Sequence, residues 1–286
     1  MSTRLDVKKT YKLYINGEFP RSESGRSYVV EDHKGRFLAN ASKASRKDAR
    51  DAVRAARAAF PGWSGRTAYN RGQVIYRIAE VLEGRREQFE AELRASQGVT
   101  AAMARKYVDA SIDRLVFYAG WADKVAQVVG GANPVAGPYF NHSAPEPSGV
   151  IAIVAPDRPL MGLVSVVAPV ITTGNTCVVI ASEPSPLTAI TLGEVMATSD
   201  LPGGVVNVLT GSVAEIAPWL ASHLDVNGID LTGVTDPALA TDLEVSAAEN
   251  LKRVRRPGLE DLVEPPPLDR MTRFLETKTV WHPMGI

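Results

Sequence analysis

Two rhythms of apolar and polar positions divide the chain. Between residues 45 and 131 apolar residues return every third or fourth position, the spacing of helices with one buried face. Ser45 followed by Asp48 is a capping-box pattern, and Ala49, Ala52, Val53, Ala56 and Phe60 then repeat until Pro61-Gly62, where a stop is expected. A second helical segment starts near Thr67, carries Ile75, Ile78, Ala79 and Leu82, and continues beyond Gly84 with Phe89 and Leu93. A third runs from about Thr100 to Gly130-Gly131, with Val108, Ile112, Leu115, Ala119 and Ala122 on one face. These segments predict a helical layer.

From Gly149 short apolar strands alternate with helices. The pattern predicts strands over 150–154, 176–180, 205–209 and 226–231, with helices over 160–172, 187–198 and 214–222 between them. A further helix is expected at Asp236-Pro237, because Asp is a good N-cap and Pro suits the first helical position. Strands joined by helices imply crossover connections, so the expected fold class is α/β, a Rossmann-like doubly wound parallel sheet behind an N-terminal helical layer. Such folds often hold a nucleotide, but the fold alone does not establish one.

The uncharged run from Pro159 to Ser182 is long enough to span a bilayer, which takes about 20 residues. Pro169 and the polar stretch Thr172, Thr173, Gly174, Asn175, Thr176 divide it into a short helix and a short strand, so buried α/β core is the expectation. Residues 255–269 contain Pro257, Gly258, Pro265, Pro266 and Pro267 and read as a linker. Residues 273–281 then predict a C-terminal strand, with 137–143 as its neighbour.

Composition narrows the reading further. With 45% hydrophobic and 22% charged residues among 286, the chain is neither disordered nor collagen-like. Thirty-two basic residues balance 32 acidic ones, so no net field draws it to nucleic acid or to a membrane surface. The single cysteine, Cys177, excludes an internal disulfide and a multi-thiolate metal site. The first residues lack the apolar stretch of a secretory signal, and a cytoplasmic location is expected. His33, His142, His223 and His282 are scattered, and no metal is expected.

Several ordered motifs resemble the aldehyde dehydrogenase superfamily. They are Tyr14-Ile15-Asn16-Gly17-Glu18-Phe19, Ala58-Ala59-Phe60-Pro61-Gly62-Trp63-Ser64, Gly174-Asn175-Thr176-Cys177-Val178-Val179 with Ser182-Glu183, Leu201-Pro202-Gly203-Gly204-Val205-Val206-Asn207-Val208, Leu231-Thr232-Gly233, Asn250-Leu251-Lys252-Arg253-Val254 and Glu276-Thr277-Lys278-Thr279-Val280-Trp281. The resemblance implies a cofactor-type domain over 1–135 and 149–256 and oligomerisation strands over 136–148 and 270–286. It also implies that a large catalytic domain, with the nucleophilic cysteine, belongs between the segments matched by Val254 and Arg273. Here a Pro-rich linker, 257–269, stands in that place.

By the same resemblance the oxyanion-stabilising asparagine should lie where Pro156-Asp157-Arg158-Pro159 stands, and the general-base glutamate where Arg255-Arg256-Pro257-Gly258 stands. Cys177 lies in an expected strand, where a lone thiol packs as a small apolar side chain. No catalytic residue is therefore assigned. The resemblance assigns Glu183, Gly211, Thr232 and Gly233 to cofactor binding. An expected lysine is Ile180, later glycines are Val213, Ala217 and Ala238, and a serine is Val234. Asp236 is placed to cap the helix that would otherwise face a pyrophosphate. No cofactor is expected from the residues; NAD(P) is implied by the resemblance only. The expected function is a non-catalytic aldehyde dehydrogenase-like subunit assembling with a full-length aldehyde dehydrogenase. The alternative is an NAD(P)-dependent oxidoreductase acting on aldehydes.

Overall fold

The computed structural model describes residues 7–258 and 264–285. Three short strands come first, β1 (Thr10–Tyr11), β2 (Ser27–Glu31) and β3 (Phe37–Ser42), ordered β1-β3-β2 in one sheet. Helices α1 (Arg46–Ser64), α2 (Ala68–Gly84), α3 (Arg86–Gln97), α4 (Ala101–Trp121) and α5 (Val125–Val129) follow. After β4 (Gly131–Asn133) and β5 (Tyr139–Pro147), the chain alternates through β6 (Val150–Val154), α6 (Met161–Thr172), β7 (Thr176–Ile180), α7 (Leu187–Ala197), β8 (Val206–Leu209), α8 (Val213–Ser222), β9 (Gly228–Asp230), α9 (Pro237–Ala248) and β10 (Arg253–Arg255). The last elements are α10 (Asp269–Thr272) and β11 (Leu275–Pro283).

The starts of α1, α2, α4 and α9 are those that the sequence signals, whereas the segment expected to continue beyond Gly84 breaks at Arg85 and restarts as α3. Ser45 Oγ accepts from the Lys47 and Asp48 N–H groups while Asp48 Oδ2 accepts from Ser45 N at 2.8 Å, a reciprocal capping box. Thr67 and Thr100 accept from Asn70 N and Met103 N, each at 3.2 Å, and Asp236 from Ala238 N at 2.9 Å. Each such cap contributes about 1 kcal/mol. Two expected ends move. Pro61-Gly62 does not stop α1, because burial of Trp63, whose indole N–H donates to the Ile171 carbonyl at 2.9 Å, holds the last turn helical. The third segment ends at Trp121 and resumes as the five-residue α5 after a turn at Asp123-Lys124.

Strands β6–β10 form one parallel sheet in the order β10-β9-β6-β7-β8. Both β6 and β7 are buried throughout, and their alternate residues divide between two apolar clusters. Val150, Ala152, Val154, Val178 and Ile180 pack with α1, α8 and α9, while Ile151, Ile153, Cys177 and Val179 pack with the layer of α2, α4, α6 and α7. The uncharged run from Pro159 to Ser182 is the α6–β7 core of this unit. Among the described residues no helix is long and apolar enough to cross a membrane.

The family-like motifs stitch these layers together. Tyr14 adds antiparallel main-chain bonds to Val208, covering part of the β8 edge, and Asn16 N donates to Asn207 Oδ1 at 2.9 Å. Asn175 Oδ1 accepts from Gly149 N at 2.9 Å while its Nδ2 donates to the Phe274 carbonyl at 3.0 Å, clamping the C-terminal segment to the sheet. Phe274 lies against Gly228, where an added Cβ would come within 2.7 Å of its ring.

Beyond Phe274, β11 pairs antiparallel with β5 from Leu275 opposite Pro147 to Pro283 opposite Tyr139, and β4 pairs with the other side of β5. The expected partners 137–143 and 273–281 are thus neighbours, β11 displaced two residues along the chain and β5 running from 139 to 147, with β4 added. Residues 259–263 of the expected linker lie outside the described residues.

Candidate cofactor site and thiol

In a doubly wound sheet the ligand crevice lies at the carboxyl ends of the strands where the winding reverses. The chain winds from β6 through β7 to β8, then returns to the other side of β6 for β9 and β10, so the reversal falls between β6 and β9. The β9 end carries the Leu231-Thr232-Gly233 motif. Gly233 N donates to the Val154 carbonyl at 2.9 Å, and a Cβ at Gly233 would stand 2.1 Å from the Ala155 oxygen, so only glycine fits this approach.

Thr232 is occupied by a buried ionic network. Its N–H and its hydroxyl both donate to Asp230 Oδ1, at 2.9 and 2.5 Å. Arg270, from α10, donates to Asp230 Oδ2 at 2.9 Å and to Thr232 Oγ1 at 3.3 Å. The Asp230 and Arg270 side chains are each 2% exposed. Burial pushes the Asp230 carboxyl up from its ordinary value, against the pull of Arg270 and the Thr232 donors. Neighbouring amides are also engaged: Val234 N donates to Leu231 O at 2.9 Å, and Ala238 N is held by Asp236.

Glu183 and Gly211 lie elsewhere, at the ends of β7 and β8 and so on the far side of β6 from Thr232. Tyr28 touches both, donating its hydroxyl to the Glu183 carbonyl at 3.2 Å. Burial raises the Tyr28 phenol, the Glu183 charge adds to this, and a Gly211 backbone hydrogen bond opposes it. The exposed Glu183 lines a cleft of about 530 Å³ together with Glu31, Asp32 and Asp157. Asp157 accepts from Ser182 Oγ at 2.7 Å and Asp32 pairs with Arg36 at 2.7 Å. Ile180 is completely buried and brings no donor.

Cys177 is a free thiol with no exposed surface, and burial alone pushes its ionisation far up. A thiol held neutral in an apolar layer is a poor nucleophile. The loop at 156–160 ends in Leu160 at φ 61°, ψ −68°, a conformation that costs a non-glycine residue about 1–3 kcal/mol. It is held by Met161 N donating to the Pro159 carbonyl at 2.8 Å. Among the described residues no group of three or more His, Cys, Asp or Glu is placed to hold a metal ion.

The aldehyde dehydrogenase family model matches residues 19–256. The chain belongs to the aldehyde dehydrogenase family. Retinal dehydrogenase 2 of Gallus gallus is 35% identical over 257 residues, 87% of this chain and 48% of that protein. Cytosolic 10-formyltetrahydrofolate dehydrogenase of Xenopus laevis is 34% identical over 258 residues, 87% of this chain and 28% of that protein. Among solved structures, an aldehyde dehydrogenase from Bacillus cereus in complex with NAD+ superposes with a TM-score of 0.81 at 27% identity, covering 86% of this chain and 50% of the other. The chain therefore spans about half the length, or less, of these aldehyde dehydrogenases.

The Asp230–Arg270 pair is the feature of this edge that sequence alone does not reveal. An aspartate between Ile229 and Leu231 in an apolar strand signals a buried charge, but nothing in the pattern points to a partner 40 residues away.

Proposed function

We propose that this chain is a non-catalytic aldehyde dehydrogenase-like subunit that assembles with a full-length aldehyde dehydrogenase through the sheet of β4, β5 and β11. The observation that carries the reading is β11: nine residues long, exposed at every position except Leu275, and paired on one side only. Such an edge offers main-chain donors and acceptors to another strand, and natural proteins seldom leave one this long uncovered. Exposed aromatic surface is added by Trp281 of β11 and Tyr139 of β5, in edge contact at 5.7 Å between ring centres.

The absence of chemistry in this reading rests on Cys177 and on the cofactor residues. Glu183 would fit a ribose diol. A dinucleotide diphosphate, however, needs free N–H groups at a helix start or loop. The amides of Thr232, Gly233, Val234 and Ala238 all donate within the chain, and four carboxylates share the Glu183 cleft. These four engaged amides do not fit the diphosphate. The alternative, an NAD(P)-dependent enzyme acting on aldehydes, draws on the retained Glu183 and on relatives solved with NAD+.

Two measurements separate the readings. The tagged chain should co-purify with a full-length aldehyde dehydrogenase from its own host, and deletion of residues 276–286, which spares the buried Phe274, should abolish this while circular dichroism stays unchanged. Calorimetry with NAD and NADP should show no micromolar binding to the isolated chain. Retention of the partner by the deleted chain sinks the assembly reading, and a micromolar dissociation constant favours the enzyme.

A further inference from the structure

The largest cavity described, about 700 Å³, lies away from all of these residues, between the start of α1 and the end of α8. Its size is that of sites for small organic ligands. Trp219, 41% exposed, and Leu224, 80% exposed, present apolar surface there. The Arg46 guanidinium lies 3.6 Å over the Trp219 ring.

The charges around Arg46 are matched among themselves. Lys47 pairs with Glu23 at 3.1 Å, and Ser45 Oγ donates to the same carboxylate at 3.1 Å. Arg50 pairs with Asp51 at 3.0 Å. Asp225, the other acid lining the cavity, lies 4.0 Å from Arg57. Beside it His223 accepts from Asp225 N at Nδ1, and burial lowers the imidazole, so it stays uncharged at neutral pH. Among the described residues Arg46 alone of the lining cations has no carboxylate.

A guanidinium stacked on an indole has its plane fixed while the N–H groups along its rim stay free to fork onto a carboxylate. Its position in the first turn of the 19-residue α1 adds the positive end of the helix dipole. We propose that this cavity is a binding site for a small amphipathic organic carboxylate, with the carboxylate on Arg46 and the hydrocarbon against Trp219 and Leu224.

The test uses the whole chain in calorimetry, with 4-phenylbutyrate, its neutral counterpart 4-phenylbutan-1-ol, and inorganic phosphate at matched ionic strength. The acid should bind about tenfold more tightly than the alcohol, the size of one charge-assisted contact. Arg46→Gln should erase that difference, and Trp219→Leu should weaken acid and alcohol together. Phosphate should not displace the acid. Equal binding of acid and alcohol, full retention of the acid by Arg46→Gln, displacement by phosphate, or no heat from the acid at millimolar concentration each overturns the proposal. Circular dichroism checks each variant, and Trp219→Phe, which keeps a ring under Arg46, should retain the acid preference.

Discussion

At the carboxyl edge of the five-stranded sheet, the buried Asp230 and Arg270 pair with each other and with the half-buried Thr232, whereas in the sheet of β4, β5 and β11 most side chains face solvent and one long edge has no neighbour among the described residues. Both regions belong to the same C-terminal stretch, since Arg270 and β11 are separated by only a few residues. In the first region the Asp230 carboxylate and the Thr232 N–H and hydroxyl find their partners within the chain, one of them Arg270 of α10. The second leaves β11 at the edge of its sheet, bonded on one side only among the described residues. The proposed assembly places the working surface of this chain at that strand edge rather than at the crevice.

The largest effect should come from breaking the inward network. Arg270→Met leaves the Asp230 carboxylate buried without its cation and should lower unfolding free energy by about 3–5 kcal/mol in urea titration. Pairing it with Asp230→Leu should recover most of that loss, because removing both charges removes the uncompensated one. If Arg270→Met alone is neutral, the network does not hold α10 in place.

Lys252 sharpens the contrast, being a buried cation with no carboxylate in hydrogen-bond contact. It is 7% exposed, contacts Asn250 Oδ1, and burial lowers its ammonium to about 8, with Glu249 opposing. The unfolded chain therefore holds this proton to higher pH than the folded one, so stability rises as pH climbs from about 8 towards the ordinary lysine value. Lys252→Met should raise Tm at pH 7 and flatten the rise between pH 7 and 9.5. A wild-type Tm that climbs no more than the variant's across that range would contradict this.

The smallest effect on stability should come from the outward sheet. Trp281, 56% exposed, touches Tyr139 across β11 and β5. Trp281→Ser should shift unfolding by no more than about 0.5 kcal/mol, the range of surface substitutions, while reducing capture of the partner. A loss of stability comparable to that of Arg270→Met would make the sheet part of the folded core and blur the distinction between the two regions.

Much of this was legible in the sequence, for physical reasons that differ by region. The strands 150–154 and 176–180 were readable to the residue because both faces are buried and the apolar runs are bounded by polar turns. Ser45, Thr67, Thr100 and Asp236 announced their helices through local hydrogen bonding, which needs only neighbours in sequence. Strands β2, β3 and β10 were not seen: each is half-exposed or short, and Arg253-Val254-Arg255 reads as a charged cluster until its pairing with Gly228, Ile229 and Asp230 is known. Thr232 was readable as a motif residue but not as a member of the Asp230–Arg270 network. Arg46 over Trp219 joins residues from α1 and α8, and no local pattern marks such a contact.

We propose that a full-length aldehyde dehydrogenase attaches along the free edge of β11. Hydrogen exchange of the chain alone and in the isolated complex reads that edge directly, because amides without a partner strand exchange freely and those in a ladder do not. Strong new protection is expected over residues 275–283 on complex formation, with little change at the carboxyl edge around Asp230–Gly233. Unchanged exchange across β11 in a complex that has formed, with protection appearing on another surface, would contradict it.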